Sequence, residues 1–364
     1  MAETRYDEAD DTAPQAPARE WSELRRGEQL REILQSRAAF VVAIVVVLLL
    51  LWWAAIAQDV SHYRLMSLTV WGVMLGGVIG LGGIGLTLIY GVLKFPNFSH
   101  GALVTLGAYI AYTIVIYWPG QSPALGPFSF GWDLIVGMVV AMPIVGLVAL
   151  GLDRVVYRRL RRQHSPLVLF AMASLAMAFF VRSIIYLVWG SDFHFYYQGR
   201  PNPALDLMFG IRVQADALFI LALAMVMVAL VYLLLGRTKM GKAMRATANN
   251  PELAQVRGIN TERVIAWTWI MSGALAAAGG VMYGLASQLR PEMGFWLLLP
   301  MFAAVIMGSI GNPRGALVGA IIIGVAQQVS TAFISPAYGP AVAFVLMVIT
   351  LLIRPQGLFG SAGG

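Results

Sequence analysis

Long uninterrupted apolar runs constrain the fold of this chain more than any other feature of its sequence. Several runs reach about 20 residues, the helical length that crosses a bilayer core of about 30 Å. Backbone polar groups inside a bilayer must bond within the segment, which makes each run a helix. The sequence therefore predicts an all-α, polytopic membrane protein with about 10 transmembrane helices. The predicted spans are 39–58, 66–92, 101–118, 132–152, 166–189, 216–235, 263–287, 297–310, 315–334 and 339–353.

Composition agrees with this fold class. The chain is 59% hydrophobic and 12% charged, whereas soluble domains are roughly 45–50% apolar and about 25% charged. The eighth predicted span is short and contains Gly308, so we expect a broken or re-entrant segment there. Cysteine is absent from the sequence, which excludes disulfides, thiolate nucleophiles and cysteine-based metal sites.

Basic residues cluster in the loops of one face. They precede the first predicted span and follow the fourth, sixth and last spans, and the positive-inside rule makes this face cytoplasmic. Both termini then lie in the cytoplasm, and the net charge of +7 reflects topology and not nucleic-acid binding. The residues are Arg25, Arg26, Arg31, Arg37, Arg158, Arg159, Arg161, Arg162, Arg237, Lys239, Lys242, Arg245 and Arg354.

The chain divides into three parts by composition. Residues 1–37 are rich in acids, arginines and alanine, and we expect this cytoplasmic segment to be partly disordered. Residues 38–358 form the membrane domain, and 359–364 form a tail. The run Ala38–Ala57 is interpreted as an uncleaved anchor, although Ala55–Ala57 resembles a cleavage site and leaves a signal peptide as the alternative.

Two glycine patterns imitate nucleotide-binding motifs. Gly80, Gly82 and Gly85 match G-x-G-x-x-G, but they lie inside an apolar span with no strand before them. Gly236–Ala243 nearly matches a phosphate-binding loop, yet Ala243 replaces the required hydroxyl. Gly72, Gly76 and Gly80 recur every four residues, which predicts close packing of a neighbouring helix.

Charges inside the predicted spans are rare. Every acid after residue 37 lies at a span edge or in a loop, which argues against a proton-coupled carrier because such carriers use intramembrane carboxylates as relays. Sodium coupling through carbonyl oxygens stays open. Arg182 lies well inside a span, and either reaches toward the external face or contributes to a polar pathway lining.

Two polar breaks interrupt the apolar runs. The first contains Asn97, Ser99, His100 and Gly101, and the second contains Asn312 and Pro313. Broken backbone at membrane depth is tolerated only against protein or a water-filled cavity, so each break is either a discontinuous helix beside a pathway or an ordinary turn. Gly-Ala-Leu-Val follows both breaks, at 101–104 and 315–318, which suggests an internal duplication.

The loop 236–262 is the most basic interruption of the membrane domain. Pro251 suits a first helical turn, so we expect a short helix there, with Ala254 and Gly258 forming a flat face that fits a partner's groove. The alternative is a solvated loop that only fixes topology. The proposed docking residues are Pro251, Glu252, Ala254, Gly258 and Ile259.

Four stretches together resemble the branched-chain amino acid ABC permease family, the inner-membrane subunits of LivH/LivM type. They are Gly85–Ala111, Gly241–Ile259, Asn260–Gly284 and Ala303–Gly324, within a similarity over roughly 68–358. Glu252, Ala254, Gly258 and Ile259 follow the E-x-A-x-x-x-G-I order of the loop that engages ATPases. Gln327 and Gln328 stand where an acid is common in the family. The resemblance places Gln327 beside the pathway and extends the expected solutes to other amino acids, amides and urea.

The resemblance implies an importer subunit without catalytic activity or a bound cofactor of its own. Its partners would be ABC ATPase subunits that use ATP, a homologous permease, an external solute-binding protein and membrane lipid, in the inner membrane. Two other classes compete with this interpretation. An ion-coupled secondary transporter or channel would work without ATPases, and a membrane scaffold would move no solute at all.

Overall fold

A computed structural model describes residue 53 and residues 61–120, 122–200, 203–207 and 211–360. The predicted N-terminal segment lies outside these residues, and so does the first predicted span except for Trp53. The other nine predicted spans, and all of the two breaks and the basic loop, lie within them.

Helices dominate the described part of the chain. The helices are α1 His62–Leu93, α2 Ser99–Ile116, α3 Trp132–Leu152, α4 Arg158–Arg162, α5 Leu167–Trp189, α6 Ala215–Arg237, α7 Lys239–Asn249, α8 Pro251–Val256, α9 Thr261–Ala286, α10 Met293–Gly308, α11 Pro313–Ser330 and α12 Gly339–Ile353. A π-helical turn, Asp153–Tyr157, joins α3 to α4, and a 3-10 turn, Pro336–Tyr338, precedes α12.

These helices confirm the predicted all-α membrane fold. Each of the nine described spans matches one helix, and within the described residues seven segments are long and apolar enough to cross a bilayer. They are His62–Leu93, Ser99–Ile116, Trp132–Arg162, Leu167–Trp189, Ala215–Arg237, Thr261–Ala286 and Pro336–Ile353. Helix α10 is continuous over only 16 residues, and a re-entrant segment there stays a prediction.

A small antiparallel hairpin is the part of the architecture that the sequence did not predict. Strand β1, Ala204–Leu207, pairs with β2, Ile211–Gln214, in the register Ala204 to Gln214. The hairpin leads directly into α6.

Helix α1 runs through the centre of the bundle, and its glycines set the distance to α11. A Cβ atom on Gly72 would lie 2.5 Å from Val325 Cα, and one on Gly76 would lie 2.7 Å from Ile321 Cα. A Cβ on Gly80 would lie 3.0 Å from the Leu317 side chain. The predicted close packing along this glycine row is therefore confirmed, and it brings two backbones into direct contact.

Ion pairs mark one end of the bundle, which we call the basic end. Arg161 donates to the carboxylate of Asp153 at 2.6 Å, and the Asp153 side chain is only 4% exposed. Arg158 lies 3.1 Å from Glu262 at the start of α9. These contacts fasten the α3–α4 segment to α9, and the loop that contains α7 and α8 lies at the same end.

Buried carboxylates fasten the loops of the opposite end. Asp216, at the start of α6, accepts hydrogen bonds from the backbone amide and hydroxyl of Ser129. Tyr197 donates to Asp133 at 2.6 Å. Burial, followed by this hydrogen bond, raises the pKa of Tyr197 above its usual value, so the phenol stays protonated and keeps donating. The loop before α3 and the loop after α5 are thus held against the bundle.

Candidate functional site

The first break ends α1 and turns the chain directly into α2. Lys94 caps α1 in the left-handed conformation at φ 59°, and its amide donates to Tyr90. The Asn97 side-chain oxygen then accepts the Ser99 hydroxyl at 2.7 Å and the Ser99 amide at 3.2 Å. Asn97 and Ser99 are both fully buried, so this turn is enclosed by protein.

His100 fixes the start of α2 against two other helices. Its Nδ1 lies 3.3 Å from the Ser272 hydroxyl on α9. A Cβ on Gly85 of α1 would lie only 2.9 Å from the imidazole Cε1, so the missing side chain at Gly85 makes the space for His100. The N-F-S-H-G turn therefore acts as a polar joint between α1, α2 and α9.

This joint lies deep in the bundle. Ser272 is about three turns, or roughly 15 Å of helix rise, from Glu262 in the ion-paired layer of the basic end. The joint therefore starts α2 about half of a 30 Å hydrocarbon core away from that layer. Asn97, Ser99 and His100 are enclosed by protein, and a discontinuous helix beside a pathway stays a prediction for this break.

The second break lies between α10 and α11 and borders a pocket that α6 and α7 also line. Gly311, at φ 84°, donates its amide to the Thr87 hydroxyl at 2.8 Å. Asn312 caps α11 through its side-chain oxygen, which accepts from the amides of Arg314 and Gly315. Asn312 and Pro313 line a pocket of about 460 Å³ between α1, α6, α7 and α11. The two breaks are level along α1, because His100 lies against Gly85 and Gly311 bonds to Thr87, two residues further along the helix.

The two Gly-Ala-Leu-Val sequences contact opposite ends of α10. A Cβ on Gly101 would lie 2.5 Å from the carbonyl oxygen of Gly294, at the start of α10. Gly315 approaches the backbone of Gly308, at the end of α10, so closely that neither residue has room for a side chain. Internal duplication stays a prediction, but the repeated glycines perform the same packing role.

Arg182 lies on an outward face formed by α2, α5 and α10, which we call the cleft face. It lines a shallow cleft, and its guanidinium carbon lies 5.2 Å from the centre of the Phe179 ring. The other residues of the cleft are Phe98, Ala102, Thr105, Leu175, Ala178, Phe179, Pro291 and Phe295.

Glu292 is a functional candidate that sequence reasoning missed. Its carboxylate accepts a hydrogen bond from the Tyr186 hydroxyl, one turn along α5 from Arg182. The linker that carries it is fastened by backbone hydrogen bonds between Leu289 and His194. The sequence places Glu292 only at the edge of a predicted span. In the structure Glu292 directly precedes the short helix α10, whose second residue, Gly294, contacts Gly101 on α2.

The candidate pathway residues do not form one site. Asn97, Ser99, His100 and Gly101 form the joint with α9, whereas Asn312 and Pro313 line the pocket between α1, α6, α7 and α11. Gln327 is 6% exposed and donates to the carbonyl of Gly339, which connects the end of α11 to α12. Arg182, the remaining candidate pathway residue, lines the cleft between α2, α5 and α10.

The basic loop folds into two short helices on the bundle. Thr238 caps α7, whose Gly241, Met244 and Thr247 are buried. Asn250 accepts from the Leu253 amide and caps α8, which begins at Pro251 as the sequence predicts. Gly258 ends the segment at φ 81°, a left-handed conformation that favours glycine.

The exposed face of α8 differs from the expected one. Ala254 is 4% exposed and points into the protein, so it seats α8 on the bundle and adds nothing to an outward flat face. Leu253 is 56% exposed and Val256 is 84% exposed. An apolar pair next to Glu252 is therefore what this helix offers to a partner, and the E-x-A-x-x-x-G-I pattern does not include that pair.

Comparison with known proteins gives a consistent result. The family model described as branched-chain amino acid transport system / permease component matches residues 68–351. The high-affinity branched-chain amino acid transport system permease protein LivH of Escherichia coli K12 is 30% identical over 296 residues, 79% of this chain and 93% of that protein. The corresponding BraD protein of Pseudomonas aeruginosa is 26% identical over 312 residues, 83% and 97% of the two chains. A LivH protein of Methanocaldococcus jannaschii is 29% identical over 295 residues, 76% and 87% of the two chains. No solved structure matches this chain significantly.

Proposed function

The chain belongs to the family of branched-chain amino acid transport permease components, and from this premise we propose that it is a membrane subunit of an ATP-driven importer. It forms one side of the pathway for a small polar solute, such as a branched-chain or other amino acid, an amide or urea. ATP is hydrolysed on separate subunits, and this chain transmits the resulting motion without chemistry of its own.

The exposed apolar pair on α8 is the observation that best supports this proposal. Leu253 and Val256 project from a short, capped helix at the basic end, outside the long apolar spans. Such a helix fits the groove of a soluble partner, and apolar anchors supply most of the affinity in that mode of recognition. In this proposal the basic end is cytoplasmic, and Pro251, Glu252, Gly258 and Ile259 shape the docking segment.

Helix α7 provides a route from the docking segment to the membrane. Its Met244 lines the same pocket as Asn312 and Pro313 at the second break. Movement of α8 would therefore displace α7 against the start of α11, which is packed on α10 through Gly308 and Gly315. Short packed elements of this kind move as rigid bodies between discrete arrangements.

The cleft face supports the assignment of a pathway. Arg182 and Glu292 are half-buried there, and charges facing lipid tails at this depth are costly. We therefore place this face toward a homologous permease, with the solute passing between the two subunits. An external solute-binding protein would deliver the solute to the end opposite the basic end.

The docking claim is tested by co-purification of ATPase subunits in mild detergent. Gly258→Asp introduces a side chain at φ 81°, which costs about 1–2 kcal/mol of local strain, and adds a charge to the docking segment. We expect this variant and Glu252→Lys to retain roughly tenfold less ATPase than the wild type, which is a loss of about 1.4 kcal/mol of binding.

A matched control lies in the loop after α5, at the opposite end of the bundle. Gly190→Asp adds the same charge at a glycine that also has φ 81° and open space around its Cβ, so ATPase retention should stay near the wild-type level. Full retention by both docking variants would refute the coupling assignment. Solute transport by the purified chain alone in liposomes would instead favour an ion-coupled transporter or channel.

A further inference from the structure

The pocket beside the second break combines an apolar wall with two arginines. Its volume is about 460 Å³, and it lies between the last turns of α1 and α6, the helix α7 and the start of α11. Leu88 and Val92 of α1 and Leu235 of α6 form the apolar wall. Arg245 of α7 and Arg314 of α11 line the pocket from two other elements. The pocket is therefore amphipathic.

Both arginines are held beside the pocket by neutral groups. The guanidinium carbon of Arg314 lies 5.8 Å from the centre of the Tyr232 ring, and Arg245 donates to the backbone carbonyl of Leu235. A guanidinium has five N–H donors in a planar fork, so each arginine keeps donors for a further acceptor.

No carboxylate balances these two arginines in the part of the chain that the structure describes. The pocket lining contains no acidic residue. The ion pairs within 4.0 Å among the described residues join Arg158, Arg161, Asp153 and Glu262 instead. The two pocket cations therefore reinforce each other, and their charge suits an anion that this part of the chain does not supply.

Exposed leucines of α6 lie next to this pocket. Leu233 is 56% exposed and Leu234 is 45% exposed, and Leu235, which follows them, lines the pocket. All three lie in the last two turns of an apolar helix that ends at Arg237. When such a helix crosses a bilayer, these turns lie where acyl chains give way to headgroups. The pocket is thus placed where a lipid headgroup can enter it.

We propose that this pocket binds the headgroup of an anionic phospholipid. The lipid phosphate accepts hydrogen bonds from Arg245 and Arg314, while Leu88 and Val92 contact the beginning of the acyl chains. The apolar wall favours a lipid over a free phosphate ion, which would leave that wall uncovered. A zwitterionic lipid is disfavoured because it brings its own cation beside the two guanidinium groups. The bound lipid joins α7 to the start of α11, a role beyond the proposed import function.

The test measures protection of a thiol placed in the pocket. Ala248→Cys lies one turn after Arg245 on α7 and lines the pocket, and it is the single cysteine of this chain. The full-length chain is purified with its retained partner subunits in mild detergent and stripped of lipid. Labelling of this chain by an uncharged maleimide is then titrated with dioleoylphosphatidylglycerol, dioleoylphosphatidylcholine or glycerol 3-phosphate.

We expect the anionic lipid to protect half of the thiol at a concentration at least about tenfold lower than the zwitterionic lipid. Glycerol 3-phosphate should not protect it in the same range. Arg245→Gln and Arg314→Gln should each raise the half-protecting concentration of the anionic lipid about fivefold and leave that of the zwitterionic lipid nearly unchanged. Lysine at either position keeps the charge without the planar fork, so it should restore most of the preference.

Two control variants remove arginines elsewhere. Arg159→Gln and Arg162→Gln change exposed residues of α4 that do not line the pocket, and both should protect like the parent. Equal protection by the two lipids, or unchanged concentrations in the two pocket variants, would overturn the lipid site. Protection by glycerol 3-phosphate as strong as by the anionic lipid would indicate a free-phosphate site and also refute the proposal. A thiol that stays unlabelled before lipid is added would refute it too, since the pocket would then be closed.

Discussion

Glycine pairs set how closely α10 approaches its neighbours. Gly101 faces Gly294 at one end of this helix, and Gly315 faces Gly308 at the other. Because neither pair has room for a Cβ atom, the backbones themselves are in contact. The position of α10, and with it Glu292 and Phe295, depends on four missing side chains.

Replacing Gly294 by alanine should therefore separate α2 from α10. Overpacking of a close helix contact costs about 1–3 kcal/mol, and we expect a matching fall in the thermal stability of the detergent-purified protein. Gly151→Ala is the control, because a Cβ atom on this glycine of α3 would meet nothing within 4 Å and would add helix propensity of up to about 1 kcal/mol. Equal stability of the two variants would contradict the packing argument.

The sequence predicted the packing contacts of residues that recur at a regular helical spacing. The row Gly72, Gly76 and Gly80 indicates a helix contact because one helix face repeats about every four residues. The pairing of Gly101 with Gly294 has no such local signal. Glu292 was missed for the same reason, since the distance from Glu292 to Tyr186, which lies 106 residues earlier, is set by the fold of the intervening chain.

At the scale of elements, hydropathy predicts which segments are helices, and for two of them the bounds, but not how deep they lie. The predicted span 132–152 and helix α3 share the same bounds, and α12 also begins and ends as predicted. An apolar run indicates a segment that contacts lipid or the protein core, and either environment favours a helix. The depth of the Asn97–His100 joint depends on Ser272 and Gly85, two residues far from it along the chain.

The stability of the contact between the α3–α4 segment and α9 should depend more on Arg161 than on Glu262. Arg161→Gln leaves the buried Asp153 carboxylate without its cation, and breaking a buried pair costs roughly 3 kcal/mol. Glu262→Gln removes a side chain that is 48% exposed, so its cost should stay below about 1 kcal/mol. Thermal unfolding of the two variants in the same detergent measures this difference, and a larger loss for Glu262→Gln would refute it.

At the scale of the whole molecule, two outward apolar surfaces have different expected neighbours. Phe295 on the cleft face is 48% exposed, and Leu230 on α6 is 47% exposed. Solvent exposure alone does not distinguish them. Charged residues do, because Arg182 and Glu292 lie beside Phe295, and a surface containing them is costly to place against lipid.

Thiol labelling of the assembled complex should separate the two surfaces. In this cysteine-free chain, Phe295→Cys should react with a water-soluble maleimide, because the thiolate needs water and an access path. Leu230→Cys faces lipid tails and should react at least about tenfold more slowly, since an ionised thiol is strongly disfavoured there. Similar rates at both positions would place the cleft face against lipid and remove the argument for a pathway.

The shortness of α10 also has a consequence for biosynthesis. A helix of 16 residues is too short for stable, independent residence in a bilayer that needs about 20. Its ends are completed by Gly101, made long before it, and by Gly315, made immediately after it. The emerging chain therefore has to insert α9, α10 and α11 together, and the surface that holds Glu292 takes shape only after α11 has been made.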